Sequence, residues 1–459
     1  MIGGNVAREK IRVIAGGKGR GGNSGGSDSG SPKPDDWRQD LVRNRDGRIE
    51  ATAWNITLIL DNDTDVRGLF WLDKFANAVR LKHQPPWAGG NVDEYTDADS
   101  LELSVWLGSP HRYGLAAKKD MITDCVEAIA RRHARHPVHD YLEGVQWDGT
   151  TRIERMFVDM FGAEDISYTR QAALCFMTSA VARILWQDLA VAYNGAKVDF
   201  MIVLEGMQDA GKSTVVHELF GAQWFAEVTE SPAHKDFYQC LKGRWGVEIS
   251  EMQAFSKADI GKIKQAITSR FDTYRASYGR IPRSFRRECV FVGTTNEDKY
   301  LRDPTGGRRF LPIKVTKVDF ALVRQHRDQL WAEAVALYRD GYRWWDLPPD
   351  AAEQQEDRYE ADSWEEVIRK WLDGKAGEKS YPTRLDPNLL IGPIPWVTTT
   401  EVLCWAIGIE VGKHSRPEQM RLATAMKRLQ WRQDRVWADG NKVRRWMREQ
   451  DTVSDDVPF

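Results

Sequence analysis

Residues 200–214 run Phe-Met-Ile-Val-Leu-Glu-Gly-Met-Gln-Asp-Ala-Gly-Lys-Ser-Thr, an apolar stretch leading straight into a loop bracketed by two glycines. A short apolar run closed by turn residues predicts a strand buried on both faces. Gly206 and Gly211 enclose four residues, and Lys212-Ser213 follow, which is G-x-x-x-x-G-K-[ST] spacing. Such a loop turns its backbone N–H groups inward around an anion, and glycine is needed where a Cβ would clash. A helix starting near Lys212 would aim the positive end of its dipole at the same point. The expectation is a triphosphate cradle for ATP built from Gly206, Gln208, Asp209, Ala210, Gly211, Lys212, Ser213 and Thr214. Lys212 would reach the β- and γ-phosphates, and the Ser213 hydroxyl would hold Mg²⁺.

Hydrolysis needs a carboxylate to orient the metal and a base for water. Trp245-Gly246-Val247 runs into Glu248-Ile249-Ser250-Glu251, about forty residues past the loop. Glu251, just beyond the strand, is the preferred water activator; Glu248 is the alternative base and the metal-side acid beside Ser213. A second apolar run, Val290 to Gly293, ends in Thr294-Thr295-Asn296, placing Asn296 as a sensor of the γ-phosphate. Thr305-Gly306-Gly307-Arg308-Arg309-Phe310 then sets Arg308 and Arg309 on a glycine-rich turn. A guanidinium there can stabilise charge on the transferred phosphoryl, often from a neighbouring subunit.

Two tracts are basic and aromatic. Arg270, Tyr274, Arg275, Tyr278 and Arg280, followed by Arg283, Arg286 and Arg287, read either as a track for single-stranded nucleic acid or as an intersubunit salt-bridge surface. The C-terminal stretch from Thr398 to Arg448 predicts two helices and a β-wing, with Arg428, Arg444 and Arg445 as nucleic-acid contacts. His136-Pro137-Val138-His139 lacks partners at metal-ligand spacing and reads as a capped loop.

Net charge is −2, so any nucleic-acid affinity must come from such local patches. The five cysteines are scattered without C-x-x-C spacing, which indicates neither a zinc site nor a disulfide framework. No apolar run is long enough to span a bilayer and no signal-peptide pattern is present, so the expected location is cytoplasmic.

Five segments are expected: a disordered Gly/Ser-rich leader over 1–36, an N-terminal domain over 37–160, a P-loop core over 161–348, an acidic helical connector and linker over 349–395, and a basic winged-helix-like domain over 396–459. Within the N-terminal domain, Asn55 to Leu60 reads as a strand and Ala116 to Arg135 as an amphipathic helix.

These motifs in this order resemble the virulence-associated E (VapE-like) family of P-loop ATPases. The likeness runs from His136-Pro137-Val138 and Trp147-Asp148-Gly149-Thr150-Thr151-Arg152 through the P-loop, Trp245 to Glu251, Asp272-Thr273-Tyr274-Arg275 and Gly293 to Asn296 to Gly306–Phe310. It covers roughly residues 130–315. The resemblance implies an α/β fold: a P-loop NTPase core of the AAA+ or superfamily 3 helicase type, with an N-terminal α/β domain and a winged-helix-like C-terminal one. It implies an ATP- and Mg²⁺-dependent DNA helicase or translocase acting in replication of a phage or mobile element as a ring, most simply a hexamer. The alternative is a nucleotide-switched DNA-binding or anti-phage regulatory ATPase that unwinds nothing. One departure stands in the loop itself, where Asp209 occupies a position usually held by glycine in the family. Many relatives carry an upstream primase domain, and no priming activity is implied here.

Overall fold

A computed structural model describes residues 36–87, 94–186, 195–232, 234–252, 257–274, 283–301, 309–359, 362–374, 394, 396–438 and 441–448. The leader (1–35), most of the Pro-rich linker, Arg275, Tyr278, Arg280 and Arg308 lie outside the described residues. The chain falls into two compact units, Met1–Phe70 with Leu81–Ile129, and Trp71–Arg80 with Ala130–Phe459.

In chain order the first elements are α1 (Ala53–Asn62), β1 (Phe70–Asp73), β2 (Ala78–Leu81), α2 (Asp97–Gly108) and α3 (Lys119–Arg132). The segment Asn55–Leu60 is helical, not the strand its β-branched residues suggest. Thr52 caps α1, and burial at Asn55, Ile56, Ile59 and Leu60 follows the helical period. The Asn55 amide decides the matter: it donates to Val42 O and Glu50 O at 2.8 Å and accepts from Val42 N at 2.9 Å, which ties the preceding loop to the helix. The amphipathic pattern at 116–135 holds as α3.

The second unit continues with α4 (Pro137–Gly144), α5 (Met156–Phe161), α6 (Ser167–Leu185), β3 (Met201–Glu205), α7 (Lys212–Phe220), β4 (Phe225–Val228), α8 (Lys235–Cys240), β5 (Gly246–Ile249), α9 (Lys257–Thr268), β6 (Phe271–Tyr274), β7 (Arg283–Arg286), β8 (Val290–Thr295), β9 (Phe310–Lys314) and α10 (Phe320–Arg339). His136 is the N-cap of α4, its Nδ1 accepting from His139 N at 3.1 Å, so this pair caps a helix. Five strands form a parallel sheet in the order β4-β5-β8-β3-β9. Strands buried on both faces need helices on both, and period-two alternation sorts their side chains. Ile202, Leu204, Val290, Val292, Leu311 and Ile313 join the core shared with α6, α7 and α10. Met201, Val203, Val247, Ile249 and Phe291 face the opposite core, with Phe237 of α8 and Ile260 and Ile263 of α9.

Trp245 anchors the first core. It is fully buried, donates to Ala180 O at 2.9 Å, and its ring lies 4.1 Å from that of Trp331 and 5.3 Å from that of Phe220. Gly246 lets β5 approach this cluster, since a Cβ there would lie 2.4 Å from Phe220 Cγ. We expect Gly246→Ala to cost about 1–3 kcal/mol through overpacking, read as a lower midpoint in urea unfolding with unchanged slope.

The chain ends with α11 (Ala351–Glu356), α12 (Ser363–Leu372), β10 (Trp396–Val397), α13 (Thr399–Glu401) running on as a π-helical segment (Val402–Ile407), α14 (Arg416–Arg428), β11 (Trp431–Ala438) and β12 (Asn441–Arg448). The last three strands pair antiparallel in the order β10-β12-β11. Charge placed α12 in an acidic connector, but its apolar face (Ile368, Trp371 and Leu372) packs with Leu403, Leu422, Trp431 and Trp446 in one core. That spacing of i, i+3, i+4 outweighs the acidic opposite face. Among the described residues no helix is long and apolar enough to cross a membrane.

Candidate nucleotide-binding site

Gly206 leaves β3 at the carboxyl edge of the sheet, and α7 begins at Lys212. The two bracketing glycines are there for separate reasons. A Cβ on Gly206 would sit 2.4 Å from Val315 O, whereas Gly211 adopts φ +85°, a left-handed conformation that L side chains avoid. Lys212 folds back into the loop: its Nζ donates to Gly206 O and Met207 O at 2.7 Å and to Asn296 Oδ1 at 2.9 Å. Burial pushes its pKa down, and the nearby carboxylates of Glu248 and Asp209 oppose that shift. The ammonium is thus held at the cradle by three acceptors, with Asn296 bringing β8 to it.

Glu248 reaches the same point from β5. It is fully buried, and its Oε1 accepts from Ser213 Oγ at 2.6 Å and Thr294 Oγ1 at 2.8 Å. Its Oε2 is buried without a hydrogen-bond partner. Desolvation drives its pKa up, more than the two hydroxyl donors bring it down. A buried carboxylate oxygen left unpaired beside a loop hydroxyl is a set of hard oxygen donors that could hold Mg²⁺. Among the described residues no cluster of three His, Cys, Asp or Glu side chains offers a different metal site.

Around these groups lies a cleft of about 330 Å³ lined by Gln208 to Thr214, Glu227, Ser250, Glu251 and Thr294 to Asn296. Loop, Glu251 and Asn296, far apart in sequence, therefore share one cavity. Glu251 is exposed and has φ +51°, an uncommon conformation for a non-glycine residue just past a strand. Asp209 has φ +64°, which accounts physically for glycine as the usual residue there; aspartate tolerates this region better than most side chains. We expect Asp209→Gly to stabilise the unit by about 1 kcal/mol and, by removing a carboxylate from the phosphate cradle, to tighten triphosphate binding several-fold. Thermal melts and nucleotide titrations at two salt concentrations would show both.

Thr294 was missed as a site residue. Its signal was register: on β8 it shares a face with Val290 and Val292, the same face that carries Glu248 on β5 and meets α7. Glu227 was missed as well; β4 pairs it with Glu248 across the sheet.

Other expected residues separate into groups. Arg309 is half-buried, with its Nε buried and unpartnered. Arg270 precedes and Tyr274 ends β6, which pairs with β7 as an antiparallel hairpin. Arg287, at its base, is committed to the interior: it is buried and ion-paired with Asp272. Arg428 is also committed internally, stacked on Tyr359 at 3.5 Å and paired with Glu356. Arg444 is exposed on β12, while Arg445 lies over the Trp396 ring at 3.7 Å.

A parallel α/β sheet in which an interior strand, β3, opens into this loop, with helices on both faces, defines a P-loop-type core. Residues 142–363 match the family model of the virulence-associated protein E-like domain. No curated protein sequence matches the chain. Among solved structures it is similar to the apo structure of the NrS-1 C-terminal region (305–718), at 11% identity and a TM-score of 0.44, over 82% of this chain and 95% of that one. The A form apo structure of the same region matches at 11% identity and a TM-score of 0.39, with the same coverage.

Proposed function

We propose that the chain is a Mg²⁺-dependent ATPase of the superfamily 3, AAA+-related type, working as an ATP-driven DNA helicase or translocase in replication of a phage or mobile element. The observation that carries this reading is the convergence of Lys212, Ser213, Glu248 and Asn296 from three adjacent strands on one phosphate cradle. Bound Mg²⁺ would supply charge neutralisation at the β- and γ-phosphates, with Ser213 and Glu248 as its protein ligands. Lys212 would hold the γ-phosphate in place of Asn296 Oδ1. Glu251, at the cleft rim, would take a proton from the attacking water, and Asn296 would orient that water or the γ-phosphate.

β8 lies between β3 and β5, so Glu248 on β5 reaches the cradle across one strand and meets Ser213 directly. Exposed Arg444 and the β6–β7 hairpin supply the proposed DNA contacts, and the unit formed by α12, β10, α13, α14, β11 and β12 is read as a winged helix. Arg308 or Arg309 would act from a neighbouring protomer, which requires a ring, most simply a hexamer.

Forked-duplex unwinding at a matched rate of ATP turnover tests the motor. Strand displacement that depends on ATP and on a loading tail supports it; turnover with no displacement favours the nucleotide-switched alternative. Mixing Lys212→Ala with Arg308→Ala/Arg309→Ala protomers tests the arginines. Partial recovery of turnover is expected, and no recovery at any ratio overturns action in trans.

A further inference from the structure

Glu205 is the last residue of β3 and directly precedes the cradle. Period-two alternation turns it to the sheet face opposite α7, where it is buried. There its carboxylate accepts from Tyr300 Oη at 2.9 Å and from the guanidinium of Arg358, Nε to Oε1 at 3.1 Å and Nη2 to Oε2 at 3.1 Å. Arg358 lies just past α11 and is also fixed at its other end, donating to Gln354 Oε1 at 2.8 Å. Its backbone carbonyl accepts from Tyr300 N at 3.2 Å and Leu301 N at 3.1 Å, in the loop that leaves Asn296. The next residue, Tyr359, bridges Leu301 in parallel, donates to Glu365 of α12 at 3.0 Å, and carries the Arg428 guanidinium of α14 on its ring.

Two consecutive residues thus touch the end of β3 next to the phosphate loop, the loop after Asn296, and the C-terminal core. A buried ion pair of this kind rarely stabilises more than apolar packing of the same volume would. What a forked Arg–carboxylate pair adds is fixed orientation. We propose that Arg358 is a positioning residue for the phosphate cradle and that, with Tyr359, it couples the cradle to the C-terminal unit through Arg428. Glu205 and the 296–301 loop are held in one register by Arg358, and the stacking of Arg428 on Tyr359 sets where Arg358 sits. A ligand that moves α14 changes triphosphate affinity through this link, and by reciprocity a bound triphosphate changes affinity at the C-terminal unit. The triphosphate half of this inference rests on the nucleotide reading above.

The test uses the full chain. Hydrogen exchange of amides 201–213 reports the cradle without any ligand, and titration of a fluorescent ATP analogue reports affinity. Arg428→Met, which touches neither Glu205 nor the loop, is expected to speed exchange at 205–211 by about tenfold and to shift analogue affinity by roughly 3–10-fold, with β5 amides unchanged. Arg358→Lys keeps the charge and loses the fork, so it should speed exchange at 205–211 at least as much as Arg428→Met. Glu205→Gln with Arg358→Met removes the pair without leaving a lone buried charge and is expected to fold. On that background Arg428→Met should add nothing, the signature of a shared path. Unchanged exchange in Arg428→Met, or an equal effect on the paired background, overturns the coupling. If wild type takes up no analogue, the nucleotide reading falls, and the exchange comparison alone still decides the coupling.

Discussion

Lys212→Ala is expected to weaken triphosphate binding by about 3–5 kcal/mol, a hundredfold or more, and to reduce ATP turnover to background. The ammonium is buried, so the charge it presents to a phosphate is little screened. It is also already placed: its three acceptors are two loop carbonyls and Asn296, and phosphate oxygens would replace the last of these at no cost in reorganisation. Removal leaves those acceptors facing an open cleft where water can reach them, so apo stability should change by only about 1 kcal/mol. Calorimetric titration of the triphosphate and a thermal melt separate the two effects. Near-normal affinity with lost stability would make Lys212 a structural strut and remove the basis of the nucleotide reading.

Glu248→Gln should move stability and function in opposite directions. At neutral pH the wild-type carboxylate is fully buried, carries one unpaired oxygen, and has a pKa raised by desolvation. A raised folded-state pKa means that this group's contribution is present below its unfolded value and lost as pH rises through the folded value. The wild type is therefore expected to lose stability as pH climbs from about 4.5 toward neutrality through this group, and the glutamine variant to lack that part of the slope. At pH 7 the variant should be more stable by about 1 kcal/mol or a few degrees in Tm. Mg²⁺-dependent turnover, which needs the ionised oxygen, should fall by roughly 10²-fold or more, and Mg²⁺ affinity in wild type should rise with pH over the same window. A variant that is less stable and still active would mean that Glu248 is a core hydrogen-bond acceptor and holds no metal.

Much of this site was legible in order along the chain. The loop from Gly206 to Ser213, Glu248, Glu251 and Asn296 stand where an apolar strand runs out into polar residues, and strand ends are what a parallel sheet collects along one edge. Thr294 was legible only once the register of β8 against β5 was known. Asn55–Leu60 misread as a strand because Ile and Thr favour sheets locally, whereas the Thr52 cap and the Asn55 amide, bonded to a loop thirteen residues back, made it a helix. Arg428 and Arg287 read as surface cations; the structure buries one against Asp272 and stacks the other on Tyr359.

Local spacing alone determined the turn from Gly206 to Gly211 and the strand and helix on either side of it, because backbone sterics and apolar periodicity act over a few residues. The tertiary structure decided which oxygen of Glu248 is left unpaired, that Asp209 sits in a left-handed turn, and that Arg358 ties Glu205 to the C-terminal core. The Glu248 and Arg358 facts depend on contacts between residues up to about 150 positions apart. Burial and pairing are set by what packs against a side chain, and a linear pattern carries no record of that.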